Sequence, residues 1–432
     1  MFKGKCTMAF RLLTAACLIM AMGVAMAGQT TVTFFYPIQV GGPLTQVMDG
    51  YVAKFNEQNP DIKVVPVYSG NYWDTTTKAL TAHKAGNPPT VGVLLATDIF
   101  TFLDEDAVEP IDKYFETDED QQWLDGFMPA FLASARVDGH VWGIPFQRST
   151  AVMYYNKEAF KEAGLDPDKY PATWDEMIDF GKKVLKKDAS GRVTRWGVGI
   201  PGNVGSCSWL FGGIANQFGA ELMNAEGTET YLTDKRVVDA LQAWVDLINV
   251  HGIHPPGLLE WGTTPSDFLE GRIAMIWTTT GNLTHLRANA KFPFGLAPYP
   301  AKERPGSVLG GGNLYIFKKA SEAEKKAAFK FIKYMTSDEL LADWGVKTGY
   351  VAPRDGSWDT ETLKKYVEEV PDAEVARKQI PVSVPEFSTY ENARTTKILS
   401  DGIAAALTGT KTPEKGLADA QAELERVLKP YR

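Results

Sequence analysis

Between residues 31 and 96, three short runs rich in β-branched and aromatic residues stand apart from one another: TVTFFY (31–36), IKVVPVY (62–68) and TVGVLLA (90–96). The stretches between them have helical character. Leu44, Val47, Met48, Tyr51, Val52 and Phe55 recur at the spacing that lines one helix face, and residues 73–84 suit a second helix. Strands that alternate with helices of this length pair in parallel and carry helices on both faces. In such sheets ligands bind beyond the carboxyl ends of the strands. The loops after Tyr36, Tyr68 and Ala96 are therefore the ones expected to face a ligand.

The pattern continues to the C-terminus. The run GIPFQRSTAVMYYN (143–156) is apolar enough for a buried strand, yet Arg148, Ser149 and Thr150 interrupt it. Polar side chains in a core strand make sense where the strand crosses a hinge between two lobes and faces a cleft. Thr173 with Glu176, Ser321 with Glu324, and Thr336 with Glu339 have capping-box spacing. Thr412-Pro413 opens a last helix with Leu417, Leu424 and Leu428 inward. No repeat or low-complexity tract is evident. The chain reads as two α/β lobes, close in space, with more than one crossover.

Residues 1–27 read as a leader. Lys3, Lys5 and Arg11 precede the apolar LLTAACLIMAMGVAMA, which ends on Ala25-Met26-Ala27. That is the layout of a secretory signal peptide, and the apolar stretch is short of the roughly 20 residues a membrane span needs. A lipid anchor at Cys17 would want a large aliphatic residue where Thr14-Ala15-Ala16 stands. Export without an anchor is the expectation. Of 45 basic residues, 42 lie beyond the leader, against 53 acidic ones, a net charge of −11. So acidic a chain is poorly suited to nucleic acid or anionic membranes. Only Cys207 follows the leader, so no intrachain disulfide is expected.

A search for catalytic motifs returns little. There is no G-x-S-x-G, no phosphate-loop signature and no H-E-x-x-H. His251 and His254 lie close together in VHGIHPP but lack a third metal ligand nearby, and Gly252 and Pro255 argue for a loop. No metal or cofactor is implied. The acidic run DEDAVEPID (104–112) has no calcium-loop spacing and is expected to be a solvated surface. Two carboxylates for sugar hydrolysis need not be near in sequence, so a secreted glycoside hydrolase is the enzyme reading retained. The glycines of LGGGNLYIF (309–317) let a backbone come close to something or form a turn before a strand.

Several segments carry a resemblance: FNEQNPDIKVVPVYSGNYWD, IPFQRSTAVMYYNKEAFKEAGLDPDKYPATWDEM, FLEGRIAMIWTTTGNL, VLGGGNLYIFKKASEAEKKAAFKFIKYMTSDE and TGYVAP. Together they resemble the extracellular solute-binding proteins of ABC importers, in particular the sn-glycerol-3-phosphate-binding branch. The likeness runs from about residue 31 to the end. It implies a two-lobe α/β periplasmic-binding-protein fold, with lobes joined by hinge segments around a ligand cleft. The implied division is 28–147 in an N-terminal lobe, 148–300 in a C-terminal lobe, 301–347 back in the first and 348–432 in the second. The implied role is non-enzymatic: a periplasmic monomer that hands a small solute to the permease subunits.

The same resemblance implies ligand contacts at Tyr72, Ser149, Thr279, Gly311, Tyr350 and Thr396, with Trp209 lining the cleft. Two positions depart from the branch. A glutamate after the third strand is replaced by Ala96, and an arginine near the C-terminus falls on Thr396. Asp98 and Arg394, each two residues away, are the local substitutes a register shift would recruit. Arg148, on the strand face opposite Ser149, belongs at the cleft edge or between the lobes. The expected ligand is sn-glycerol-3-phosphate or a glycerophosphodiester. The alternative is a neutral polyol or oligosaccharide, favoured by Ala96 and Thr396 and expected to use Trp209 and Trp73.

Overall fold

The computed structural model describes residues 28–203 and 205–432; the leader at 1–27 lies outside them. The three early runs are strands β1 (Thr30–Tyr36), β2 (Ile62–Tyr68) and β3 (Val91–Leu95). They pair in parallel with β1 central, as the alternation requires. Helix α1 (Leu44–Gln58) buries Leu44, Met48, Tyr51, Val52 and Phe55, the stripe read from spacing. Helix α2 (Tyr72–Lys84) starts one residue earlier than the pattern suggested. Asn71 and Asp74 form a full capping box at its start, which satisfies two backbone donors that the helix cannot.

The strand with three polar residues is β4 (Ile144–Asn156), and it belongs to two sheets. Its first half, Ile144 to Thr150, pairs antiparallel with β8 (Ser307–Phe317), which in turn pairs antiparallel with β3. Its second half, from Ala151 on, pairs antiparallel with β6 (Ile273–Thr279) and β7 (Phe294–Ala297). Strand β5 (Val193–Gly199) adds in parallel to β6. The exchange of partners falls between Thr150 and Ala151. A third connection passes through the short strand Ser383–Val384, beside Ser307 and Val308. The result is a two-lobe α/β fold with three chain crossings side by side.

On one face of the second sheet pack α3 (Trp174–Val184), α4 (Cys207–Gln217), α5 (Lys235–Asn249), α8 (Asn392–Leu407) and α9 (Pro413–Leu428). Helices α6 (Glu322–Met335) and α7 (Asp338–Thr348) cover the first sheet. Ser321 and Glu324 form the expected capping box, and Thr412 caps α9 with Leu417, Leu424 and Leu428 buried. The third expected box shifts by one residue. Ser337 is the N-cap of α7, while the Thr336 hydroxyl turns back to Ile332 O, still in the preceding helix. Among the described residues, no helix is long and apolar enough to cross a membrane.

Two local expectations are corrected. The glycines 310–312 lie inside β8 rather than before it. In DEDAVEPID, Asp104 and Asp106 are exposed but Glu109 is buried. Val108–Glu109 pairs with the end of β8, which carries the Glu109 carboxylate inward to Lys325 (2.8 Å), Lys113 (2.9 Å) and the Tyr114 hydroxyl (2.7 Å). His254 is buried as well, with Nδ1 donating to Pro255 O and Nε2 accepting from the Ile200 N–H.

Candidate functional site

A cavity of about 450 Å³ opens between the lobes. The first sheet contributes its strand ends: Ile38 to Val40 follow β1, Asn71 to Trp73 follow β2, and Leu95 ends β3. This is the carboxyl-end placement that parallel strands impose. The crossing strands contribute Ser149 and Gly311, the second lobe Asn203, Ser206, Trp209, Trp261 and Thr279, and the two remaining segments Tyr350 and Glu386.

Four wall residues have a traceable support. The Tyr72 hydroxyl donates to Gln147 Oε1 at 2.7 Å, and burial pushes its ionisation well above the usual tyrosine range. The Tyr350 ring stacks on Trp344 with an interplanar angle of 11°, and its phenol is pushed up by burial to about 12. Both hydroxyls stay protonated donors at neutral pH. Thr279 caps the turn that follows β6 by accepting from the Gly281 N–H. Trp209 enters from α4, donates Nε1–H to Leu309 O at 2.9 Å and meets Trp261 edge-on at 5.6 Å.

The glycines of β8 are what lets these groups converge. A Cβ at 310 would lie 2.6 Å from Trp209 Nε1, and one at 311 would lie 1.9 Å from Gln147 O. Gly311 also sits at φ +103°, a backbone state that residues with a Cβ avoid.

Of the residues singled out in the sequence, Tyr72, Trp73, Ser149, Trp209, Thr279, Gly311 and Tyr350 line this cavity. Four others do not. Thr396 is buried inside α8, its hydroxyl donating to Asn392 Oδ1. Asp98 is also buried; it accepts from Asn392 Nδ2 and Thr76 Oγ1, each at 2.9 Å. Arg394 points to solvent, its side chain 59% exposed, and pairs with Glu391 at 3.2 Å. A helix turn places 394 and 396 on different faces, and neither face meets the cavity. Arg148 is buried on the far side of its strand. There it donates to Gly311 O, Asn313 Oδ1 and Ser134 Oγ, with its guanidinium over the Phe131 ring at 5.1 Å.

Sequence reasoning missed Asn203, Ser206, Trp261, Gln39 and above all Glu386. The signal at 386 was a lone carboxylate between Pro385 and Phe387, in a stretch with neither helical nor strand periodicity. Burial pushes this carboxyl up to about 8, against the pull of Arg148. Among the described residues the cavity wall holds no lysine, arginine or histidine. Gln39 Oε1 has no hydrogen-bond partner. The site is a slot of indole faces and hydroxyl, amide and carboxyl groups, suited to a compact polar solute.

Two lobes closing on such a slot define a class, the solute-binding proteins. Residues 50–371 match the family model for bacterial extracellular solute-binding proteins, and the chain belongs to that family. It is 27% identical over 431 residues to the sn-glycerol-3-phosphate-binding periplasmic protein UgpB of Escherichia coli K12 and to that of Shigella dysenteriae, covering 95% of this chain and 96% of each relative. Its fold is similar to UgpB from Mycobacterium tuberculosis in complex with glycerophosphocholine (TM-score 0.81, 24% identity, 94% of this chain and 100% of that one). It is also similar to an ABC transporter solute-binding protein from Thermotoga lettingae bound with α-D-tagatose (TM-score 0.80, 20% identity, 92% and 100%).

Proposed function

We propose that the chain is the exported, non-enzymatic receptor of an ABC importer. In this reading it captures a neutral carbohydrate-like solute, a sugar or polyol, and delivers it as a monomer to the permease subunits from the periplasm. The lobes that close are the chain before Thr150 with the segment from β8 to Ser383–Val384, and the chain from Ala151 to β8 with the segment after Ser383–Val384. The ligand contacts are Tyr72, Trp73, Ser149, Trp209, Thr279, Gly311 and Tyr350.

One observation carries the choice of ligand: among the described residues the cavity wall bears three tryptophans and one carboxyl group but no cationic side chain. Indole faces stack on the apolar faces of sugars. A phosphate dianion is ordinarily held by arginine or lysine. Glycerol-3-phosphate, the ligand named for the curated relatives, would meet no such group here. Glycerophosphocholine is the second reading, because its quaternary ammonium suits an aromatic wall with a carboxylate.

A thermal-unfolding screen of residues 28–432 tests the proposal with D-tagatose, maltose, trehalose, D-mannitol, glycerol-3-phosphate and glycerophosphocholine. A ligand at 100 times its Kd stabilises by about 2.7 kcal/mol. Shifts with neutral compounds that persist in 0.5 M salt are the expected result. Shifts with the phosphate compounds alone overturn it.

A further inference from the structure

Glu386 stands where the third chain crossing passes the cleft. It lines the main cavity and also a smaller crevice behind it, which Ala96 and Arg148 share. The small side chain of Ala96 leaves room on that side. Glu386 makes no hydrogen bond or ion pair with another described residue; only the charges of Arg148 and Asp98 act on it. Glu386 is only part-buried, so its carboxyl stays free to take a partner from the cleft.

Arg148 is the complementary oddity. It is 1% exposed, its Nε has no hydrogen-bond partner, and its three other bonds go to neutral groups. Strand alternation puts it behind the wall on whose front Ser149 stands. It acts on Glu386 through space without reaching the solute.

We infer that Glu386 is the specificity-determining contact of the cleft: its carboxyl hydrogen-bonds the hydroxyls of a neutral sugar or polyol and, once ionised, repels a phosphate dianion, with Arg148 as its positioning counter-charge. This rests on the neutral-solute reading. The protonation of Glu386 sets when each part applies: below about pH 8 the carboxyl is mostly neutral, and above it mostly ionised. Burial raises the carboxyl to about 8, Arg148 draws it down and Asp98 pushes it up. The other charged or titratable groups around it are Arg136 in the crevice and Tyr72 and Tyr350 in the cavity.

The test is calorimetric titration of residues 28–432 with whichever of D-tagatose, maltose, trehalose and D-mannitol binds tightest, and separately with glycerol-3-phosphate. Removing one side of a hydrogen bond so that its buried partner is left unpaired weakens binding by about 10- to 100-fold. That loss is expected for Glu386→Ala with the neutral compound, with the ligand-free thermal midpoint confirming a folded variant. Glu386→Gln keeps the shape and carries the test if the alanine variant does not fold. It is expected to abolish the pH dependence of Kd between pH 6.5 and 9 and, at pH 9, to gain affinity for glycerol-3-phosphate. Arg148→Met is expected to move the midpoint of that pH profile upward, which a purely structural role would not do. Glu386→Ala within threefold of wild type, or a Kd in wild type that ignores pH, overturns the inference and leaves the neutral-solute reading standing. Wild type that binds glycerol-3-phosphate and none of the neutral compounds overturns both.

Discussion

The side-chain amide of Asn392 donates to Oδ1 of Asp98 at 2.9 Å, joining the turn after β3 to the first turn of α8 across 294 residues. Around it, Ser388 Oγ donates to Thr97 O and the Asn392 N–H donates to Thr101 Oγ1. The lobes thus meet through a small buried polar seam beside the third crossing, and Asp98 is a structural acceptor there rather than a contact for the solute.

Asn392→Ala removes one of the two donors that satisfy this buried carboxylate. Leaving a buried polar group unpaired costs about 1–3 kcal/mol. Urea unfolding is expected to show that loss. Thr396→Ala, which gives up only a 3.3 Å bond to Asn392, is expected to cost less than about 1 kcal/mol by the same measure.

Lys325 and Glu109 form a buried ion pair, with side chains 5% and 9% exposed. Despite its burial, bonds to Lys325, Lys113 and Tyr114 hold Glu109 down at about 2. Its folded value lies below its unfolded one, so its stabilisation is full above pH 4.5 and lost as pH falls toward 2. Lys325→Met leaves the carboxylate buried without its main partner, a change that typically costs about 3–5 kcal/mol. Thermal midpoints at pH 7 are expected to drop accordingly, and the acid-side decline between pH 4.5 and 3 to flatten.

Glu386 predicts the opposite slope. Its folded value of about 8 exceeds the ordinary 4.5, so between those limits the folded protein keeps a proton that the unfolded chain has released. Stability of the ligand-free protein is therefore expected to fall as pH rises through that window. Denaturant titrations at pH 5, 6.5 and 8 check this, and in Glu386→Gln the decline is expected to shrink.

Gly311→Ala and Gly310→Ala separate backbone from wall. At 311 a methyl group meets the Gln147 carbonyl in a positive-φ residue, a combination expected to destabilise by at least about 2 kcal/mol. At 310 the obstacle is the Trp209 ring, so solute affinity is expected to fall more than stability. Calorimetry and urea titration on both variants tell them apart.

Much of the site was legible because it rests on local rules. The ends of parallel strands marked the loop after Tyr68 as one that faces a ligand, the resemblance named Tyr72 just beyond it, and strand alternation put Ser149 and Arg148 on opposite faces. The glycine run marked where β8 must come close to its neighbours. Positions in irregular chain were not legible in the same way. Arg394 and Asp98 lay within two residues of the expected places, but helix phase sent one to solvent and a neighbour from the other lobe claimed the other. Glu386 gained its meaning only once the third crossing lay beside Arg148, a relation that no periodicity encodes. The cap of α7 moved by one residue because Thr336 found a carbonyl in the helix before it.

Strand β8 has a consequence for how the molecule is made. It lies between β3 and β4 in the first sheet, yet it follows them by some 200 and 150 residues in the chain. Until residue 317 has emerged, the N-terminal half has a gap at its centre and cannot finish its core. Contacts this distant in sequence delay folding. Should the chain be exported as proposed, its first lobe would stay open during passage through a translocation channel, held so by the lateness of its own middle strand.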